Sequence, residues 1–334
     1  LADYVIGPWE IEAELSRGKH VVALDGGSSV NSALPRPISG AALRHRYVAG
    51  FLSDRANNAG AFLSNTVLVF PDSGAATAAA RELSELAAND PTLSVAPPIA
   101  THPDVATHIW KGSDCGCGAP PKDSLLAFRA HRQYILVQNA ASSDGIAPAA
   151  DLIAKTIDLQ ANLIDEFTPT PANQLAALRV DPTGLLARTV PISAADSSTT
   201  VRAVYGPRGT LHFQSDPIRS GDMFHRAGLV RSAFAAAQVY ETQTDRGAQE
   251  IAQDFYADAS RDGVPLGGVD RLPGSSCVAS GIPYGGGGVV GSVGGPGEAF
   301  YCVTQVGKYA IVVSGQETDA KQLLAAQYLL LKPS

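Results

Sequence analysis

The chain has 334 residues, 45% of them hydrophobic and 17% charged, with a formal net charge of −7. That length holds two medium domains with a core each, and the acidic balance argues against a nucleic-acid surface. No run approaches the roughly 18 apolar residues that a membrane-spanning helix requires.

The chain starts at Leu1 rather than Met and reads as a fragment whose start is removed or disordered, which leaves room for a signal peptide upstream. Residues 1–40 read as a lead-in packing on the repeats. Pro8 allows one short helical turn, Val21–Leu24 a short strand, and Leu34-Pro-Arg-Pro37 an extended connector. Residues 41–170 read as a first unit. Leu43–Leu52 is part helix, part irregular, and Asn65–Phe70 is a strand. Asp72 or Ser73 caps a helix over Ala75–Ala88, with Ala79, Leu83 and Leu86 on one face. His108–Trp110, Ser124–Ala130 and Gln133–Asn139 are strands, followed by a helix over Asp151–Ile164. Phe167-Thr-Pro-Thr-Pro171 reads as a stiff linker.

Residues 171–334 repeat that order. Leu211–Ser215 reads as a strand, Phe224–Phe234 fills the slot of residues 43–52, and Ala237–Thr242 is a strand. Thr244 or Asp245 caps a helix to about Ala259, then Phe300–Gln305 and Lys308–Ser314 are strands and Thr318–Leu331 a helix. Tyr134 matches Tyr309, and Leu136-Val137 match Ile311-Val312. Ala154-Lys155 and Ile157 line up with Ala320-Lys321 and Leu323. Each half therefore reads strand–helix–strand–strand–strand–helix. Turns as short as Val306-Gly-Lys308 demand antiparallel neighbours. The fold class is α+β: two tandem repeats of antiparallel sheet covered by helices.

Four cysteines in a chain rich in Ser, Thr and Gly lean towards an oxidising compartment. Cys277 and Cys302 are expected to form a disulfide closing a loop worth on the order of 3 kcal/mol of chain entropy; two free buried thiols are the alternative. Cys115-Gly-Cys117 suits a local or loop-stapling disulfide, free thiols, or a metal site completed by His108 and His131.

The order strand, Asp-containing turn, Ala-rich helix, Tyr-Val-type strand and A-K-x-L helix resembles the extracellular sensor domain of mycobacterial PknH-type kinases and the LpqN-like lipoproteins. Ala2-Asp-Tyr-Val-Ile-Gly-Pro-Trp-Glu10 and Gly307-Lys-Tyr-Ala-Ile-Val-Val313 carry the likeness to actinobacterial envelope lipoproteins with two such modules. The resemblance implies an extracytoplasmic envelope protein, lipid-anchored upstream of Leu1, that binds rather than catalyses. This sequence departs from the sensor pattern in holding Ala127 where the second half has Cys302, so no matching bridge is expected in the first half.

Catalytic signatures are missing from the sequence. Gly286-Gly-Gly-Val-Val-Gly291 matches G-x-G-x-x-G, but Pro283 before it and Gly294-Gly-Pro-Gly297 after it supply neither strand nor helix N-terminus. The seven histidines fall in no metal-ligand spacing, and no G-x-S-x-G elbow occurs. No catalytic residue, metal site or cofactor is assigned. Trp110, Tyr134, Tyr301 and Tyr309 are the conspicuous aromatics: strand and core residues, or the lining of an apolar cleft between sheet and helices. The expected role is binding an apolar or glycolipid envelope component. An accessory subunit of an envelope membrane-protein complex is the alternative, and a hydrolase-like enzyme the third.

Overall fold

The computed structural model describes residues 1–113, 122–179, 181–192, 202–280 and 299–333. It divides into two compact units, Leu1–Ala177 and Leu178–Ser334.

Unit 1 contains strands β1 (Arg17–Leu24), β2 (Ala49–Ala56), β3 (Phe62–Val69), β4 (Leu93–Val95), β5 (Ala106–Ser113), β6 (Lys122–His131) and β7 (Tyr134–Ala141). Its helices are α1 (Arg36–Arg44), α2 (Ser73–Asn89) and α3 (Ile146–Asp165). The strands form one antiparallel sheet in the order β1-β2-β3-β7-β6-β5-β4. Asp72 caps α2 by accepting from the Ala75 amide. Successive side chains of a strand point to opposite faces, and the cores follow that alternation. Leu126, Phe128, Ile135 and Val137 meet Ala76, Ala79, Leu83 and Ala87 of α2. Leu125, Ala127 and Ala140 meet Leu152, Ile153 and Ile157 of α3. Helices therefore cover both faces.

Unit 2 holds β8 (Ala203–Tyr205), β9 (Leu229–Phe234), β10 (Gln238–Thr242), β11 (Val264–Leu266), β12 (Ser276–Ser280), β13 (Ala299–Val306) and β14 (Tyr309–Gly315). Its helices are α4 (Pro207–Leu211), α5 (Pro217–Ala227), α6 (Asp245–Asp262) and α7 (Glu317–Leu331). The sheet order is β8-β9-β10-β14-β13-β12-β11, the path of the first sheet strand for strand. Ala320, Leu324 and Leu331 of α7 pack on Val239, Ile311 and Val313. Phe255 of α6 and Phe224 of α5 pack on Tyr240, which points to the other face. Gly247 in the first turn of α6 lets the Ala227 carbonyl approach; a Cβ there would stand 2.0 Å from that oxygen.

Tyr134 and Tyr309 do occupy matching positions. Each is the first residue of its strand and closes a two-residue hairpin, opposite His131 and Val306. The first turn residue takes positive φ in both, as Arg132 (φ 52) and Gly307 (φ 51).

Several expectations are corrected. The lead-in is part of the repeat: β1 is the edge strand of the first sheet, paired with β2. Residues 43–52 divide into the end of α1 and the start of β2, which continues to Ala56. Leu211–Ser215 is no strand. Pro207 and Pro217 each open a helix, Asp216 caps the second by accepting from Arg219 N, and Gly228 ends it in the left-handed conformation. Among the described residues each half carries seven strands, more than the sequence suggests, since the short edge strands and β2 and β9 leave weak sequence signals. Burial also aligns Ile153, Ile157, Gln160 and Ile164 of α3 with Ala320, Leu324, Gln327 and Leu331 of α7, one step from the alignment read off the sequence.

That shift exposes a shared device. Gln160 Oε1 accepts from Ile6 N at 2.9 Å, and Gln160 Nε2 donates to the Tyr4 carbonyl at 2.8 Å. Gln327 Oε1 accepts from Val190 N at 2.8 Å, and Gln327 Nε2 donates to the Arg188 carbonyl at 2.8 Å. In each unit a short 3-10 turn, Ala2–Tyr4 or Leu186–Arg188, enters along the last helix and one buried glutamine latches it there.

Candidate functional site

Directly opposed residues on neighbouring strands lie on one face, so the registers of unit 1 can be read as rows across the sheet. One row, on the α3 face, is Ser53, Asn65, Gln138, Ala127 and Thr107. Asn65 Nδ2 donates to the Ile6 carbonyl at 2.9 Å and to Gln160 Oε1 at 2.7 Å, and its Oδ1 accepts from Gln138 Nε2 at 3.0 Å. Thr107 donates to the Pro97 carbonyl at 3.1 Å. This row anchors the entering segment and is structural. Arg55 lies on the same face beyond it. Its guanidinium sits 5.4 Å over the Trp9 ring and donates to the Ser16 carbonyl, and burial lowers its pKa to about 10.

The neighbouring row, on the α1–α2 face, runs His20, Asp54, Ser64, Asn139, Leu126, His108 and Val95. Sheet spacing of about 4.8 Å per strand puts Asp54 and His108 about 19 Å apart. The Asp54 carboxylate accepts from His20 N at 2.9 Å and contacts His20 Nδ1 at 3.2 Å. Burial raises the Asp54 pKa, and the hydrogen bond to Asp54 raises that of His20, so the pair keeps its protons to higher pH. At the other end His108, 3% exposed, stacks on Phe128 at 5.5 Å. Burial alone lowers its pKa. His108 Nδ1 and Asn139 Oδ1 are both buried and have no hydrogen-bond partner among the described residues. Unpartnered buried polar atoms cost about 1–3 kcal/mol each, and such costs concentrate at functional sites. The other histidines of unit 1 all meet carboxylates: His20 on Asp54, His45 on Glu82, His102 on Asp158 and His131 on Asp165.

Register sets which groups of the row can meet. Asp54 lies between His20 and Ser64, so register places no imidazole beside the Ser64 hydroxyl to act as its base. His108 and His131 stand five residues apart along β5–β6, about 17 Å, too far to share a metal.

Within each unit, the two aromatics named from the sequence lie on opposite faces of the sheet. In unit 1, Trp110 is half-buried against the α2 core, whereas Tyr134 points to the α3 face. In unit 2, Tyr309 lies on the α7 face, its hydroxyl accepting from Arg188 Nη1 at 2.9 Å, and Tyr301 on the α6 face. Cys277 and Cys302 are joined, directly opposite each other on β12 and β13. Their positions in unit 1 are held by Thr107 and Ala127. Cys115 and Cys117 lie outside the described residues. His108 carried a signal in the sequence only as a metal candidate, and Asp54, Ser64 and Asn139 carried none, since their alignment exists only through register.

Residues 1–180 match the family described as "Domain of unknown function (DUF7373) N-terminal", and residues 185–334 match its C-terminal counterpart. The chain belongs to the DUF7373 family. No curated protein matches it. Among solved structures, the extracellular domain of PknH from Mycobacterium tuberculosis is 15% identical, with a TM-score of 0.35, covering 48% of this chain and 94% of that one. Among the described residues of this DUF7373 chain, no helix is long and apolar enough to cross a membrane.

Proposed function

We propose that the protein is a non-catalytic, extracytoplasmic envelope protein that binds an apolar or glycolipid component, and that unit 1 carries the recognition. The carrying observation is the α1–α2-face row, where buried polar atoms of His108 and Asn139 are left for a ligand to satisfy. The disulfide in unit 2 supports an oxidising compartment, and the family resemblance supports attachment through an upstream lipid. Organic extraction of purified protein followed by lipid mass spectrometry tests the reading. A stoichiometric amphiphile is expected; extracts empty of lipid from protein purified without detergent would count against it. The second reading, an accessory subunit, draws on Leu329 and Leu330, exposed by 69% and 48% at the end of α7. Loss of a membrane-protein partner on Leu329→Glu would favour it.

A further inference from the structure

The row in unit 1 has a chemical bias that narrows the ligand, on the premise that the protein binds one. Asp54 presents two carboxylate oxygens with about four acceptor positions, of which His20 N and His20 Nδ1 occupy two. Asn139 Oδ1 adds an acceptor with no donor, and His108 Nδ1 a ring nitrogen with no partner, among the described residues. The Ser64 hydroxyl, between Asp54 and Asn139, can give or take a hydrogen bond. The Asn139 amide N–H pair and one His108 ring N–H stand beside these atoms, so the row can both give and take hydrogen bonds, as a hydroxyl does. The only carboxylate in the row already has an imidazole beside it, so there is no unneutralised charge to select an ammonium group. Trp110 stands two residues from His108 on the same strand and face, offering an aromatic surface next to the acceptors. Asn139 and Trp110 are half-buried whereas Asp54 and His108 are closed in, so a ligand approaches over the first two.

We infer that the Asn139–His108 end of this row is a binding site for a polyhydroxylated group, the sugar or polyol head of the bound component, whose hydroxyls bond to Asn139 and His108 while a ring face lies on Trp110. Unit 2 does not share the site: Val278, Tyr301 and Ser314 hold the positions of His108, Leu126 and Asn139.

Saturation-transfer NMR on the full chain tests this with methyl glycosides of glucose, galactose and mannose, with myo-inositol, and with ethanolamine as the ammonium control. At least one hydroxylated probe should receive saturation. The signal should fall at least fivefold in Asn139→Leu and in His108→Phe, and stay unchanged in Ser314→Leu. Hydrogen exchange of each variant checks that unit 1 remains folded. No transfer to any hydroxylated probe, preferential transfer to ethanolamine, or transfer indifferent to Asn139→Leu overturns the assignment. A co-purified lipid without hydroxyls in its head would overturn it too, yet leave the binding role standing. Sugar binding without any co-purified amphiphile would do the reverse.

Discussion

Units 1 and 2 follow one strand path, yet their sheet centres are built from opposite chemistry. Across the α3 face of unit 1 run Thr107, Ala127, Gln138, Asn65 and Ser53. The same row in unit 2 contains Cys277, Cys302, Val313, Ala237 and Ala235, all in the α7 core. On the other face, Val278 and Tyr301 of unit 2 hold the positions that His108 and Leu126 have in the polar row of unit 1. The β9–β10 connection turns back at Ala235–Ala237, where β2 and β3 run on through Asp54 and Ser64. A disulfide and apolar packing favour a fixed body; a buried polar band with unpartnered atoms favours recognition at a cost in stability.

The sharpest way to break this contrast is the disulfide. Cys302→Ala should remove about 3 kcal/mol from unit 2 and leave unit 1 unchanged. Hydrogen exchange resolved by peptide reads both, and equal loss in the two units would show that they do not fold separately. Gln160→Leu leaves Ile6 N, the Tyr4 carbonyl and Asn65 without their partner, and should cost about 2 kcal/mol. The exchange of residues 2–9 should rise first; Gln327→Leu should act likewise on residues 186–190 alone.

His108→Phe has the opposite sign. Removing a buried atom that lacks a partner should raise the stability of unit 1 by about 1 kcal/mol while lowering saturation transfer to the hydroxylated probe at least fivefold. A destabilised variant would mean that His108 is an ordinary core residue with a partner. The same side chain sets a pH dependence. Its folded pKa is depressed, so the unfolded chain takes up the proton first. Its contribution is complete above the unfolded pKa of about 6.5 and is lost as pH falls from there through the folded value. His20 works against it, since its raised pKa gives stability below about 6.5 that is lost as pH rises through the folded value. Denaturant titrations of wild type and His108→Phe between pH 7.5 and pH 5 should diverge towards acid, about the smallest effect expected.

Duplication was legible because β7 and β14 lie at the sheet centre, where burial on both faces forces runs of apolar and β-branched residues. Asp72 and Thr244 were legible as caps because local hydrogen bonding fixes them. The 3-10 turns at Ala2–Tyr4 and Leu186–Arg188 share no residue types at matching positions, since Gln160 and Gln327 grip only backbone atoms there. No sequence comparison would pair Tyr4 with Arg188. The polar row was hidden for a related reason. Its members come from separate strands, and a shift of one residue in any pairing would send that strand's member to the other face. Trp110 and the tyrosines drew the eye by size, but alternation along their strands scatters them between faces.

The glutamine latch has a bearing on how such a protein can arise. Entry segment and final helix are held side by side in each unit, so its two ends meet. A segment with adjoining ends behaves as a cassette: it can be copied head to tail, permuted, or inserted into a loop without rethreading the sheet. Tandem DUF7373 halves are what repeated use of such a cassette would produce.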